Sequence, residues 1–120
     1  KSITIHLDGL ALSPDSIARV VVGIRLAAYR FDKYKTKLAD NLKNILQNIT
    51  IACDEPKLSN SSYEGYHGPV CDGTIKARDL VNEPPNVIYP KAYASEIKKL
   101  EKHGLKVEVL GEKKMKSTSA

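Results

Sequence analysis

The chain has two cysteines, Cys53 and Cys71, in 120 residues. That is too few for a disulfide scaffold, and neither sits in a C-x-x-C or Cys/His spacing suited to zinc, so both read as free thiols of a reducing compartment. Long hydrophobic runs are missing as well. The longest, residues 17–28, is interrupted by Arg19 and Arg25 and falls short of the roughly 18 residues that a membrane span needs. A soluble chain with no membrane partner is expected. No charged-then-apolar leader opens the sequence, which points to a cytoplasmic location and makes the two N-x-S/T sequons, at Asn48 and Asn60, chance matches. The first residue is Lys1 rather than Met, so an internal piece of a longer protein is expected.

Catalytic signatures are equally scarce. There is no G-x-S-x-G, P-loop, G-x-G-x-x-G or H-E-x-x-H. His6, His67 and His103 are scattered, and carboxylates occur singly apart from Asp54-Glu55. Neither cysteine has a local cue to an activated nucleophile. His6 falls on the polar face of a strand pattern and reads as solvated, with nothing nearby to complete a metal site. No internal repeat is visible.

What is present is 42% hydrophobic and 28% charged, the balance of one soluble globular domain. A complete domain of this size would bury roughly 65% of its unfolded surface. The net charge of +5 is uneven: −1 over residues 1–18, +5 over 19–43, −3 over 44–90 and +4 over 91–120. In the first basic block, which opens on Arg19 and closes on Lys43, residues 30–37 alternate cations with aromatics. Such a run can hold phosphates and stack bases. The preferred reading is the end of a helix, where cations oppose the negative end of the dipole while Phe31 and Tyr34 pack inward. The second block mixes eight lysines with four glutamates and reads as exposed helix and strand faces.

Alternation of Ile3, Ile5 and Leu7 with Thr4 and His6 predicts a strand over residues 2–7. Ser13-Pro14-Asp15 then starts a helix, with Ser13 as cap, and Ile17, Val20, Val21, Ile24, Ala27, Ala28 and Phe31 form its apolar stripe. Residues 45–52, with Ile45, Ile49 and Ile51, predict a second strand. Residues 58–69 hold Ser, Asn, Gly65, Gly68 and Pro69 and read as a loop with at most a frayed turn. From Pro69 to Asn82 the spacing of Val70, Thr74, Ala77 and Val81 predicts a helix, which Pro84-Pro85 must stop. Pro90 opens another, over 91–103, on Tyr93, Ile97 and Leu100, with Gly104 as a left-handed cap. Leu105, Val107 and Val109 predict a third strand, and residues 112–116 the first turn of one more helix. The order argues for α/β architecture.

Two segments carry more. Tyr29-Arg30-Phe31-Asp32-Lys33-Tyr34-Lys35-Thr36 resembles the Y-R-F-D-x-Y-K-T segment of the leucyl aminopeptidases, the cytosol aminopeptidases. Ala77-Arg78-Asp79-Leu80-Val81-Asn82-Glu83-Pro84-Pro85-Asn86 is similar to that family's A-R-D-L-V-N-E-P-P-N, and the order and spacing from Pro90 to Met115 fit it too. The resemblance covers nearly the whole chain.

It implies an α/β fold in which residues 1–66 are the last part of an N-terminal macro-like domain, 67–82 a linking helix, and 83–120 the opening helix and strand of a metallopeptidase catalytic domain. It implies a cytosolic, homohexameric, two-metal exopeptidase, with manganese or zinc, that removes N-terminal amino acids from peptide substrates. The family's metal ligands, a lysine, three aspartates and a glutamate, lie downstream, as do its catalytic lysine and the arginine of N-T-D-A-E-G-R-L. No catalytic, cofactor-binding or metal residue is therefore expected here, and Lys113, Lys114 and Lys116 do not match the metal lysine's context. Inactivity of this chain alone is expected. The alternatives are a DNA-binding module, since some bacterial members bind DNA, or a hexamer scaffold, using the Arg19 to Lys43 block. Two departures stand out: residues 117–120 replace the family's Leu-Gly-Met-Gly type continuation, and the family's linking helix usually starts before Pro69.

Overall fold

Alternating isoleucines build a parallel strand pair: β1 (Ser2–His6) lies beside β2 (Asn48–Ala52), with Ile3 opposite Ile49 and Ile5 opposite Ile51. The computed structural model describes residues 1–37 and 46–118; Ile45 and the stretch ending at Lys43 lie outside the described residues, as do Ser119 and Ala120. The chain divides into two compact units, Lys1–Val81 and Asn82–Ala120.

In the first unit a parallel pair requires a crossover, and α1 (Pro14–Ala28) lies in the connection between the strands. Its start follows the local chemistry. The Ser13 hydroxyl accepts the Ser16 N–H at 3.2 Å, Pro14 sits where no donor is needed, and Asp15 faces the positive end of the helix dipole. Beyond the strands, Gly9 turns the chain at φ 75°, and both Asp54 carboxylate oxygens accept its N–H, at 3.1 and 3.2 Å. The loops that leave β1 and β2 are thereby tied together.

The apolar core is small. Among the described residues only Ile17, Ala18 and Cys71 are buried hydrophobics, whereas Ile3 keeps 44% of its surface. The isoleucine face and the Val21 and Ile24 side of α1 border an open groove of about 1000 Å³.

Three expectations fail in this fold. Helix α1 ends at Ala28, with Tyr29 extended at φ −60° and ψ 131°, so Phe31 and the basic run lie beyond it and Arg25 supplies the cation of the last turn. Residues 30–35 instead form their own turn: Lys35 N–H donates to the Asp32 carbonyl at 3.0 Å, and Arg30 and Lys35 pair with the Asp32 carboxylate at 3.1 and 2.9 Å.

Residues 58–69 are helical rather than a loop. Helix α2 (Pro56–Ser62) runs through a π-helical turn (Tyr63–His67) directly into α3 (Gly68–Asn82). Glycine and proline argued against continuity, but a π turn is the place in a helix where the i to i−4 ladder is already broken. Gly68 N–H reaches back to the Tyr63 carbonyl, and the donor that Pro69 lacks falls just after this switch.

The second unit holds α4 (Pro90–Lys98), which continues as a 3-10 turn (Lys99–His103) to Gly104 at φ 85°, the left-handed cap expected of it. Val87 and Ile88 N–H groups donate to the Pro84 carbonyl at 2.9 and 3.0 Å, forming the turn that follows α3's end. Helix α5 (Glu112–Thr118) closes the described chain. The third strand expected from Leu105, Val107 and Val109 is not formed: residues 105–110 have no ladder partner among the described residues, and alternation without a partner strand cannot make a sheet.

Candidate functional site: where the two motif segments meet

The two segments that carry the family resemblance touch each other. Tyr29, the first residue of the earlier segment, donates its phenolic O–H to Asp79 Oδ1 at 2.8 Å, across 50 positions of sequence. Beside it, Arg78 Nη1 donates to the Leu26 carbonyl at 3.1 Å, and its guanidinium lies 5.6 Å from the centre of the Tyr29 ring. Leu26 belongs to the last turn of α1, whose carbonyls have no acceptor role left inside the helix, so Arg78 acts as a cap supplied from a distant helix. The backbone at Tyr29 is extended where α1 ends.

One turn earlier on α1, Arg25 Nη1 donates to Oη of Tyr63, in the π turn, at 2.6 Å and pairs with Asp72 of α3 at 2.8 Å. These hydrogen bonds, with Tyr63 first and Asp72 second, stabilise the guanidinium charge above its ordinary level. At the other end His67 Nε2 meets Asp15 Oδ1 at 2.6 Å, while Arg19 Nε donates to Asp15 Oδ2 at 2.7 Å. The His67 bond, ahead of Arg19, holds the Asp15 carboxyl below the usual carboxylate range against an opposing desolvation effect. Lys35 and then Arg30 hold Asp32 low in the same way.

No nucleophile and base are brought together by these contacts, which are ion pairs, hydrogen bonds and one cation–ring contact. His6 pairs with Asp8 at 3.2 Å on the surface, and His103 ends the 3-10 turn. Cys71 is buried and Cys53 half-buried, both as free thiols. Among the described residues no three His, Cys, Asp or Glu side chains converge as a metal site would require, and no helix is long and apolar enough to cross a membrane. The Tyr29–Asp79 contact had no signal in either segment alone, because its partners are far apart in sequence.

The fold and this interlock define a βαβ unit fastened to a long helix, followed by a second helical unit: an α/β protein whose sequence motifs build a joint. Residues 75–120 match the family model for the catalytic domain of the cytosol aminopeptidase family. The chain is 40% identical over 115 residues to a probable cytosol aminopeptidase of Nitrobacter hamburgensis, covering 95% of this chain and 23% of that protein. It is 41% identical over 106 residues to the one of Rhodopseudomonas palustris, covering 88% and 21%, and 39% identical over 117 residues to that of Brucella ovis, covering 96% and 23%. A solved structure titled as the bottromycin maturation enzyme BotP in complex with Mn is similar at a TM-score of 0.55 and 27% identity, over 83% of this chain and 20% of that one. The resemblance to the cytosol aminopeptidase family is therefore shown, and the chain spans less than a quarter of the length of these curated relatives.

Proposed function

We propose that this chain is part of a cytoplasmic leucyl aminopeptidase, a two-metal exopeptidase that removes N-terminal amino acids from peptides. The observation that carries this reading is the identity of about 40% along 95% of the chain, joined to the family match of residues 75–120. In this reading residues 1–66 are the end of a macro-like N-terminal domain, 67–82 the linking helix, and 83–120 the start of the catalytic domain. The whole enzyme assembles as a homohexamer.

Among the described residues no three His, Cys, Asp or Glu side chains cluster, and in this reading the metal centre is built elsewhere in the larger protein. The ligands and catalytic groups belong to other parts of the larger protein, and no step of hydrolysis runs through a residue of this chain. When bound there, the paired manganese or zinc ions supply an activated water and a Lewis acid for the scissile carbonyl. The contribution of residues 1–118 is scaffold: a joint between helices and the opening of the catalytic domain. Four cations of the basic block, Arg19, Arg25, Arg30 and Lys35, are each paired with a carboxylate.

Hydrolysis of leucine amide by the longer polypeptide tests the reading. Release of leucine that is lost on chelation and restored by Mn2+ or Zn2+ is expected. Absence of hydrolysis with either metal overturns it. The 120-residue chain alone is expected to release none.

A further inference from the structure

The buried residues of α3 lie only at its start, Gly68 and Cys71. From Asp72 to Asn82 nothing is buried: Thr74, Ile75, Asp79 and Leu80 are half-covered, and Val81 is exposed. Within this chain, apolar packing therefore contributes little to holding the last turns of the helix, because hydrophobic stabilisation scales with the area removed from water. What fixes them is polar and directional. Tyr29 Oη to Asp79 Oδ1, Arg78 to the Leu26 carbonyl, and Arg78 over the Tyr29 ring converge on the C-terminal half of α3, within one helical turn of Asn82, where the second compact unit begins.

We infer that Tyr29, Arg78 and Asp79 are positioning residues for the peptidase reaction: together they fix the direction in which α3 carries the chain out of the first unit. This rests on the aminopeptidase reading proposed above. Three features argue for positioning rather than bulk stabilisation. Hydrogen bonds and a cap fix direction and distance, which apolar contacts do not. All three residues belong to the two segments that carry the family resemblance. The contact is also placed at the exit of the helix, where a small angular error is carried into everything that follows. Misplacement of about 1 Å by a change remote from the chemistry can cost on the order of 100-fold in rate.

The test uses the longer protein with Tyr29→Phe, Asp79→Ala, Asp79→Asn and Arg78→Ala. Tyr29→Phe removes only the phenol; Asp79→Asn keeps an acceptor oxygen for it. Expected for Tyr29→Phe, Asp79→Ala and Arg78→Ala is a fall in kcat of about tenfold with KM for leucine amide within about twofold, while Asp79→Asn stays within about twofold of the parent. Amide hydrogen exchange over residues 76–82 should rise in the same three variants and not in Asp79→Asn. A lowered melting temperature with unchanged kcat per folded molecule overturns the proposal, as does an unchanged exchange pattern. If the parent protein releases no amino acid at all, the aminopeptidase reading fails. The positioning role falls with it, and hydrogen exchange in the same variants separately reports whether the joint fastens α3.

Discussion

Tyr29 and Asp79 stand 50 residues apart and are joined by a 2.8 Å hydrogen bond from the phenol to the carboxylate. A part-buried hydrogen bond to a charged acceptor contributes about 1.5–3 kcal/mol. Tyr29→Phe should accordingly lower the unfolding free energy of the first unit by about 1–2 kcal/mol, read from urea denaturation. The double variant Tyr29→Phe, Asp79→Ala should lose less than the sum of its parts, because both changes break one bond. Simple additivity would show that the two side chains are not coupled.

Gly68 and Gly73 make opposite predictions within one helix. A Cβ at Gly68 would lie 3.0 Å from the Tyr63 carbonyl oxygen and 3.1 Å from its ring, whereas a Cβ at Gly73 meets nothing within 4 Å. Gly68→Ala should destabilise by about 1–3 kcal/mol by displacing Tyr63 and, with it, the Arg25 contact. Gly73→Ala should stabilise by about 0.5–1 kcal/mol through helix propensity alone. Thermal melts of the two variants check the pair.

Acid should weaken the first unit through Asp15 and Asp32. Both carboxyls are held below their ordinary values, Asp15 chiefly by His67 and Asp32 chiefly by Lys35. A depressed folded-state value means that the stabilisation is present above the unfolded carboxylate value of about 4 and is lost as pH falls through the lower, folded value. A denaturation midpoint measured downward from pH 5 should drop, and Asp15→Asn should flatten part of that slope. Because both groups are solvent-accessible, added salt should shrink the effect.

The sequence spoke most clearly where one stretch decided its own structure. Ser13-Pro14-Asp15 opens α1, Pro90 opens α4, and Gly104 takes the left-handed cap, each through chemistry confined to a few residues. It was less clear where a partner decides. Leu105, Val107 and Val109 alternate as a strand does, yet no strand lies beside them among the described residues. Pro69 and Gly65 read as breakers because a π turn, which absorbs them, is set by the packing of Tyr63 and His67 on α1 rather than by local propensity. The joint of Tyr29, Arg78 and Asp79 was present in the motifs as letters, but its contacts depend on how α1 and α3 come together.

Loss of the Ser13 hydroxyl offers a simple control on the local side of that division. Ser13→Ala should cost about 1 kcal/mol, the usual worth of a helix cap, with no change in hydrogen exchange at residues 76–82. An effect spread into α3 would mean that the start of α1 and the joint at its end are not independent.

The π turn between α2 and α3 is equivalent to one residue inserted into an otherwise regular helix. Each residue of an α-helix advances the side chains by about 100°, so removing a single residue there, Gly65 for instance, would let the ladder close as a plain α-helix and turn α2 by about that angle relative to α3. Ser59, buried on α2, and Cys71, buried on α3, now face inward together; after such a deletion only one of them could. Length, more than composition, is thus what this stretch must conserve: many substitutions in 56–82 should be tolerated where a one-residue deletion is not.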